Sequence, residues 1–332
     1  MKIKKESFVK LFQYNSIYIF LIIVLLCVSV YGCGRSTNIQ KIDSPQIGYS
    51  VIDAFGNKIY FSQKPIRIVS LGLSSDEVII KIVPKSRILA LSTRADEIGI
   101  SNITELVKDI PLRGSVHSVE NILKMNPDVV IIPDFYSSEV YQTFRDLGIK
   151  IFIYKTPTNI QESMRFVNEL AVVVGEKSQG KAIIGTMERK LQSINNKIKN
   201  ISERKRVILV RPTGVFYAPK SIFGDVCKHA GVFDVTQELK PFYDMKNTKI
   251  TQEEIIRLNP DIIIITDWSD AGQNDPRKQR EEILNNPAYK HINAIKNGQV
   301  ILLPGRHLLT GSQFIVNSVE AVARISYPSY FF

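Results

Sequence analysis

Arginine and aromatic residues recur in this sequence directly after short β-branched segments that have the pattern of buried strands. In doubly wound sheets, ligands bind outside the carboxyl ends of the strands, so residues in these loops are candidates for one binding site. Guanidinium groups pair with carboxylates or phenolates, and aromatic faces stack on flat rings. The four arginines in these loops predict an anionic ligand. The predicted ligand-binding residues are Arg94, Arg113, His117, Tyr136, Arg211, Tyr217, Tyr243, Trp268 and Arg306.

Other chemistries have weaker support in the residue pattern. The four histidines are scattered along the chain, whereas a bare zinc or manganese site uses three or four clustered His and carboxylate ligands. We therefore expect no directly bound metal ion. Possible axial ligands to haem iron are His117, His307, Tyr136, Tyr217 and Tyr243, but a loop His or Tyr is more often a hydrogen-bonding residue. The chain has no Gly-x-Gly-x-x-Gly, Walker loop or nucleophile elbow, and we expect neither an enzyme nor a cofactor.

The first 33 residues predict export. Four lysines between Lys2 and Lys10 precede an uncharged apolar run, Ile17–Val30, and small Gly32 precedes Cys33. This is the organisation of a secretory signal, and the run is shorter than the roughly 20 residues of a transmembrane helix. The segment Val30-Tyr31-Gly32-Cys33 resembles a bacterial lipobox, which implies lipidation of Cys33, although Tyr31 is larger than the usual residue there. An uncleaved N-terminal membrane anchor remains the alternative.

Composition and cysteine usage agree with an exported globular protein. Apolar residues make up 44% and charged residues 23% of the chain, close to the globular average. The formal net charge of +11 suits an anionic ligand or membrane surface, because export argues against nucleic acid. Cys27 lies in the apolar run and Cys33 would carry lipid, so Cys227 is left alone and we predict no disulfide.

Strand and helix patterns alternate along the chain, which predicts a parallel α/β sheet. Both halves show this alternation, and about 300 mature residues suggest two domains. Between them, apolar residues recur at helical spacing over residues 176–200 without a proline, and we interpret this segment as one helix joining the halves. An ordinary surface helix broken near Gly180 or Gly185 is the alternative. The predicted boundaries are 1–32 for a signal peptide, 33–48 for a tether, 49–175 for the N-terminal lobe, 176–200 for the linker helix and 201–332 for the C-terminal lobe.

An internal repeat relates the two halves. The segments Glu120–Ile132 and Glu253–Ile265 align at a constant offset of 133 residues. Each has a Glu in the first helical turn, then apolar positions, then Asn-Pro-Asp, then four β-branched residues. The proline ends the helix and the branched residues enter the sheet. Two similar lobes that face one another enclose a cleft, and clefts between domains bind ligands.

These passages resemble the bacterial solute-binding proteins that serve ABC importers of ferric siderophores, haem and cobalamin. The resemblance rests on the repeat and on Pro65–Leu71 with Glu77, and it continues through the second half to cover nearly all of the mature chain. The family fold is two Rossmann-like lobes with mainly parallel sheets, joined by one rigid helix, with the ligand in the cleft between the lobes. In the second half, the passages that carry the resemblance besides the repeat are Asn286–Tyr289 and Ala294–Val300.

The resemblance implies a function, partners and two further site residues. The chain would be an extracytoplasmic, lipid-anchored monomer that captures a ferric siderophore, or else haem or cobalamin, and delivers it to the permease subunits of an importer. In this family one exposed Glu on each lobe pairs with arginines of the permease, and the matching positions are Glu120 and Glu253. Stabilisation of each helix N-terminus by its Glu is the alternative. A surface interaction or sensory protein, or an α/β enzyme, would be compatible with the same two-lobe fold.

Overall fold

Two parallel sheets, separated in sequence by one long helix, form the framework of the molecule. The structure is a computed structural model that describes residues 48–211, 213–217, 221–239, 248–266, 275–308 and 310–332. The predicted signal, Cys33 and nearly all of the predicted tether lie outside these residues. Among the described residues, no helix has both the length and the apolarity needed to cross a membrane.

The first sheet is built from β3 to β7 in the order β5-β4-β3-β6-β7, and every neighbouring pair is parallel. It is preceded by an antiparallel hairpin of β1 and β2, as the Gly-containing turn between them predicts. The strands of this part are β1 (Tyr49–Ile52), β2 (Lys58–Phe61), β3 (Ile68–Ser70), β4 (Ile88–Ser92), β5 (Arg113–Gly114), β6 (Val129–Pro133) and β7 (Ile151–Tyr154). Its helices are α1 (Leu73–Ile82), α2 (Val119–Lys124), α3 (Ser138–Asp146) and α4 (Ile160–Val173).

The second sheet has the order β10-β8-β12-β13 and is also parallel. Strands β9 and β11 pair antiparallel beside it. Its strands are β8 (Arg206–Val210), β9 (Phe216–Tyr217), β10 (Phe233–Asp234), β11 (Thr248–Lys249), β12 (Ile262–Thr266) and β13 (Val300–Leu303). The helices after the first sheet are α5 (Lys177–Ile198), α6 (Ile222–His229), α7 (Gln252–Leu258), α8 (Pro276–Asn285), α9 (Asn293–Lys296) and α10 (Ile315–Ser326).

Helix α5 runs unbroken through Gly180 and Gly185, so the alternative of a broken surface helix is wrong. Its 22 residues span about 33 Å at 1.5 Å per residue. Gly180 is needed for close packing, because a Cβ atom there would lie 2.4 Å from the Cβ of Ala171 on α4. The boundaries of the two predicted domains on either side of this helix stay a prediction.

Both sheets are buried on their two faces, which explains the continuous β-branched runs. Alternate strand residues, such as Ile131 of β6 and Ile264 of β12, enter one shared hydrophobic core with helices α1, α4, α5, α6 and α10. The other residues enter a separate outer core on each sheet, as Val130 and Ile263 do. The two lobes therefore share a continuous apolar contact on one side of the molecule.

The repeat ends its helices in the same way in both lobes. Asn126 and Asn259 have φ values of 47° and 42°, and they are the non-glycine residues with positive φ in the described ranges. Asparagine tolerates this left-handed conformation, which terminates a helix before the following proline. The aspartate two residues later then accepts a backbone hydrogen bond from the start of the neighbouring strand: Asp128 from Arg67 at 2.9 Å and Asp261 from Arg206 at 3.0 Å.

Candidate ligand-binding cleft

A cleft of about 790 Å³ lies where the carboxyl ends of the strands of both sheets meet. In the first lobe its lining comes from the loops after β3, β4, β5, β6 and β7. Residues after β8, at the start of α6 and in the segment between β13 and α10 complete it from the second lobe. This is the position that parallel α/β topology assigns to a ligand, and the volume is that of a small-molecule site.

Four predicted ligand-binding residues line this cleft: Arg94, His117, Tyr136 and Arg211. Arg94 and Arg211 come from opposite lobes. Burial lowers the pKa of the Arg211 guanidinium, since desolvation disfavours the charged form, and a bound anion would offset that cost. Burial likewise raises the pKa of Tyr136, while the positive charge of Arg94 lowers it. The cleft thus combines guanidinium groups from both lobes, of which that of Arg211 is partly desolvated.

An aromatic pair stands beside the charged residues. The ring centroids of Phe135 and Tyr136 are 4.8 Å apart at an interplanar angle of 43°. Phe135 is 67% exposed although it is large and apolar, and both residues line the cleft. Exposed aromatic faces at a cavity suit a ligand with flat rings.

The structure places Arg113 and Arg306 outside the lining of this cleft. Arg113 makes a two-point ion pair with Asp96, with both nitrogen–oxygen distances 2.6 Å, and this fixes the loop after β4 against β5. Arg306 donates from its guanidinium to the carbonyl of Ile98 and from its backbone to the carbonyl of Gly99 at 2.9 Å. Arg113 therefore fixes a loop within the first lobe, and Arg306 holds the second lobe against the first.

The structure does not describe the side chains of the three remaining predicted ligand-binding residues. Tyr217 ends strand β9, but its side chain lies outside the described part, as do Tyr243 and Trp268. Within the described ranges no three His, Cys, Asp or Glu side chains cluster in a way that could hold a metal ion.

A buried polar junction behind the cleft was not predicted from the sequence. The Glu77 carboxylate accepts hydrogen bonds from the backbone and side chain of Asn102, at 2.9 and 2.8 Å. It also accepts from the hydroxyls of Thr310 and Ser312 of the second lobe, at 2.6 and 2.5 Å. Burial raises the pKa of Glu77, against these hydrogen bonds, which favour the carboxylate. The sequence signalled only Glu77, through its place in the family resemblance.

The two predicted docking residues occupy equivalent places. Glu120 is the second residue of α2 and Glu253 the second residue of α7, and both are exposed. In α7 the neighbouring Glu254 forms the capping box with Thr251. Hydrogen bonds from its own backbone and from Thr251 lower the pKa of Glu253, which keeps it ionised at neutral pH.

The fold and the cleft define a two-lobed binding protein in which a rigid helix joins parallel α/β lobes. Comparison with known proteins shows that the chain belongs to the periplasmic binding protein family, whose profile matches residues 68–307. This confirms the resemblance found in the sequence. Members of this family are binding components of transport systems, so family membership confirms that the chain is not an enzyme.

The proteins to which this chain is similar align with most of its length. An uncharacterised ABC transporter substrate-binding lipoprotein of Bacillus subtilis is 20% identical over 330 residues, which cover 93% of this chain and 96% of the relative. The Fe(3+)-citrate-binding protein of the same organism is 22% identical over 286 residues, covering 84% and 86%. The crystal structure of a Helicobacter pylori protein, CeuE, in a nickel–histidine complex superposes with a TM-score of 0.69 at 21% identity, covering 86% of this chain and 90% of that one.

Proposed function

We propose that this protein is the lipid-anchored solute-binding component of an ABC importer, and that it carries a metal chelate, preferentially an anionic one, in the interlobe cleft. A ferric siderophore is the first candidate, followed by haem and cobalamin. The proposal rests mainly on one observation. Arg94 and Arg211, from opposite lobes, line one cavity of about 790 Å³ together with the Phe135–Tyr136 pair. The names of the Bacillus subtilis relatives support both the transport role and the iron chelate.

Calorimetric titration of residues 34–332 with a panel of chelates tests the ligand. The panel holds a ferric tris(catecholate), a ferric trihydroxamate, ferric citrate, haem and cobalamin. We expect saturable binding of an anionic member without turnover. Replacing Arg211 with Ala should weaken that binding by about 1.5–3 kcal/mol, the usual value of a hydrogen bond to a charged group. Arg145→Ala on the exposed face of α3 is the matched control and should leave binding unchanged. Silence of the whole panel would favour an interaction or sensory role.

We also propose that Glu120 and Glu253 dock the protein onto the permease subunits. Their equivalent exposed places in the two lobes support a two-point electrostatic contact, which orients association more than it adds affinity. The double variant Glu120→Ala, Glu253→Ala should abolish cellular uptake of the chelate while leaving its affinity in solution intact. The double variant Glu188→Ala, Glu203→Ala removes two exposed carboxylates elsewhere and serves as control. Normal uptake by the first double variant would contradict the docking role.

The anchor belongs to the same proposal. The lipobox-like segment before Cys33 supports acylation there, and stable attachment takes more than one acyl chain. Cys33→Ala should therefore move the protein from the membrane fraction to the soluble extracytoplasmic fraction. A variant that stays in the membrane fraction would favour an uncleaved anchor.

A further inference from the structure

A buried carboxyl group lies directly behind the floor of the cleft. Asp76 of α1 is fully buried, and its Oδ2 atom accepts hydrogen bonds from the backbone nitrogen of Ser92 at 3.1 Å and from the Ser92 hydroxyl at 2.5 Å. Its Oδ1 atom has no hydrogen-bonding partner among the described residues. Ser92 itself lines the cleft. One side chain therefore separates this carboxyl group from a ligand.

The surroundings of Asp76 favour the neutral acid. Desolvation raises the pKa of Asp76 to about 7, while the nearby hydroxyl of Ser70 and the hydrogen bonds from Ser92 lower it. Among the described residues, Glu77 on its own helix, Arg113 on β5 and Tyr154 on β7 interact electrostatically with Asp76. Glu77 raises the pKa further, and the positive charge of Arg113 is already paired with Asp96. A buried negative charge that is hydrogen-bonded on one oxygen only is costly, and protonation removes the charge.

We propose that Asp76 and Ser92 form a proton-carrying relay that makes the Ser92 hydroxyl a hydrogen-bond donor to an anionic ligand in the cleft. The relay rests on the proposed function, because it takes the cleft to be the ligand site. While Asp76 is a carboxylate, the hydroxyl hydrogen of Ser92 points to Oδ2. When Oδ2 takes one proton from solvent, its new O–H donates to Ser92 Oγ. The hydrogen of Ser92 is then released to turn into the cleft, and no other bond is made or broken.

The relay makes affinity depend on the charge of the ligand. An anion gains a donor from Ser92 and avoids repulsion by a carboxylate only when Asp76 is protonated, so its binding takes up a proton near neutral pH. Its affinity therefore falls as the pH rises above that range. A neutral ligand has no charge for the Asp76 carboxylate to repel, so its affinity should depend less on pH.

The first arm of the test needs no ligand. The full chain, solubilised in detergent and labelled with ¹³C at the Asp side-chain carboxyl carbons, is titrated by NMR from pH 5 to 9, and Asp76→Asn assigns the signal. We expect the Asp76 signal to titrate in the neutral range. A carboxyl that remains ionised throughout this range would overturn the relay, whatever the protein binds.

The second arm uses two iron probes, the anionic ferric tris(catecholate) and a neutral ferric trihydroxamate, measured by calorimetry in buffers of different ionisation enthalpy. The anion should bind the wild-type protein with proton uptake, and roughly tenfold more weakly at pH 8 than at pH 6, the effect of one unit of pKa shift. Asp76→Asn removes the titratable group and its negative charge, so it should bind the anion with the same affinity at both pH values and without proton uptake.

A second variant keeps the proposal testable if Asp76→Asn does not fold. Ser92→Ala removes the donor and should weaken binding of the anion at both pH values, again without proton uptake. Asp146→Asn on α3 changes an exposed aspartate and should behave as wild type. Wild-type proton uptake in either relay variant would overturn the proposal. If neither probe binds the wild-type protein at any pH, the ligand class proposed for the cleft fails, and the NMR titration alone decides whether Asp76 holds the proton.

Discussion

At the scale of single residues, the neighbouring acids Asp76 and Glu77 lie in the environments most unlike water. Both are buried beside the cleft, and burial raises the pKa of each. They differ in their partners: four hydrogen bonds satisfy the Glu77 carboxylate, whereas one oxygen of Asp76 has none among the described residues. Glu77 therefore serves to join the lobes, and Asp76 is the group that a change of pH would affect.

The pH dependence of stability follows from this difference. The folded state keeps a proton on Asp76 up to about pH 7, whereas the unfolded chain loses it near the ordinary value of 3.8. The free energy of unfolding of the wild-type protein should therefore fall as the pH rises from about 4 to about 7. This loss amounts to at most about 4 kcal/mol for a shift of this size. Asp76→Asn should remove this contribution.

Urea unfolding of the wild-type protein and of Asp76→Asn between pH 4 and 8 measures this contribution to the free energy of unfolding. Glu77 contributes in the same direction to both, so the difference between the two curves isolates Asp76. The difference should change steadily up to about pH 7 and then level off. Parallel curves would show that Asp76 has the same pKa in the folded and unfolded states. Asp146→Asn supplies the exposed control.

The site residues show what residue types alone could predict. Arg94, His117, Tyr136 and Arg211 line the cleft because the loops after parallel strands converge there. Sequence reasoning could not distinguish Arg113, since its partner Asp96 lies 17 residues away on another loop and no periodic pattern connects the two. Asp76 was missed because a serine-rich, apolar stretch gives no sign that its acid faces inward.

At the scale of elements, the repeat predicted two helix–strand units, and both were confirmed. The repeat did not predict which residues satisfy the carbonyl groups at the ends of these helices. Arg67 donates to the carbonyl of Met125 and Arg206 to that of Leu258, so each lobe closes the C-terminus of its repeat helix with an arginine from the adjacent strand. The two arginines lie at different distances in sequence from their helices. An alignment of the two halves at one constant offset therefore does not pair them. The short strand β5 and helices α8 and α9 were likewise not predicted from their weak patterns.

The left-handed asparagines give a test at this scale. Asn126 has a φ of 47°. Asn126→Ala should cost up to about 1–2 kcal/mol in the free energy of unfolding, because asparagine adopts the left-handed conformation more readily than alanine does. Asn126→Gly should be neutral or slightly stabilising. Chemical denaturation of the pair measures the difference, and equal stability of the two variants would contradict the account.

At the scale of the whole molecule, the two lobes are held together on one side and open on the other. The shared core joins residues of both sheets through α1, α4, α5, α6 and α10. The Glu77 junction adds polar contacts between the first lobe and the segment before α10. The sequence predicted the joining helix from its periodicity, but the packing of its neighbours into one core depends on contacts distant in sequence.

This arrangement predicts little relative movement of the lobes. A hinged pair of domains would close on its ligand, whereas a common core resists rotation because close-packed interiors do not deform continuously. The radius of gyration from small-angle X-ray scattering should therefore be unchanged, within error, by a saturating chelate. Thr310→Val with Ser312→Ala, which removes two hydrogen bonds of the junction, is the variant in which a change is expected. Marked compaction of the wild-type protein would contradict the rigid account.

The location of the metal tests the central claim most directly. Crystals of residues 34–332 grown with the chelate that binds most tightly in the panel can be measured at the absorption edge of its iron or cobalt. The account predicts an anomalous peak inside the cleft, between Arg94 and Arg211 and near the Phe135–Tyr136 pair. A peak elsewhere on the surface, with the cleft free of chelate, would contradict it.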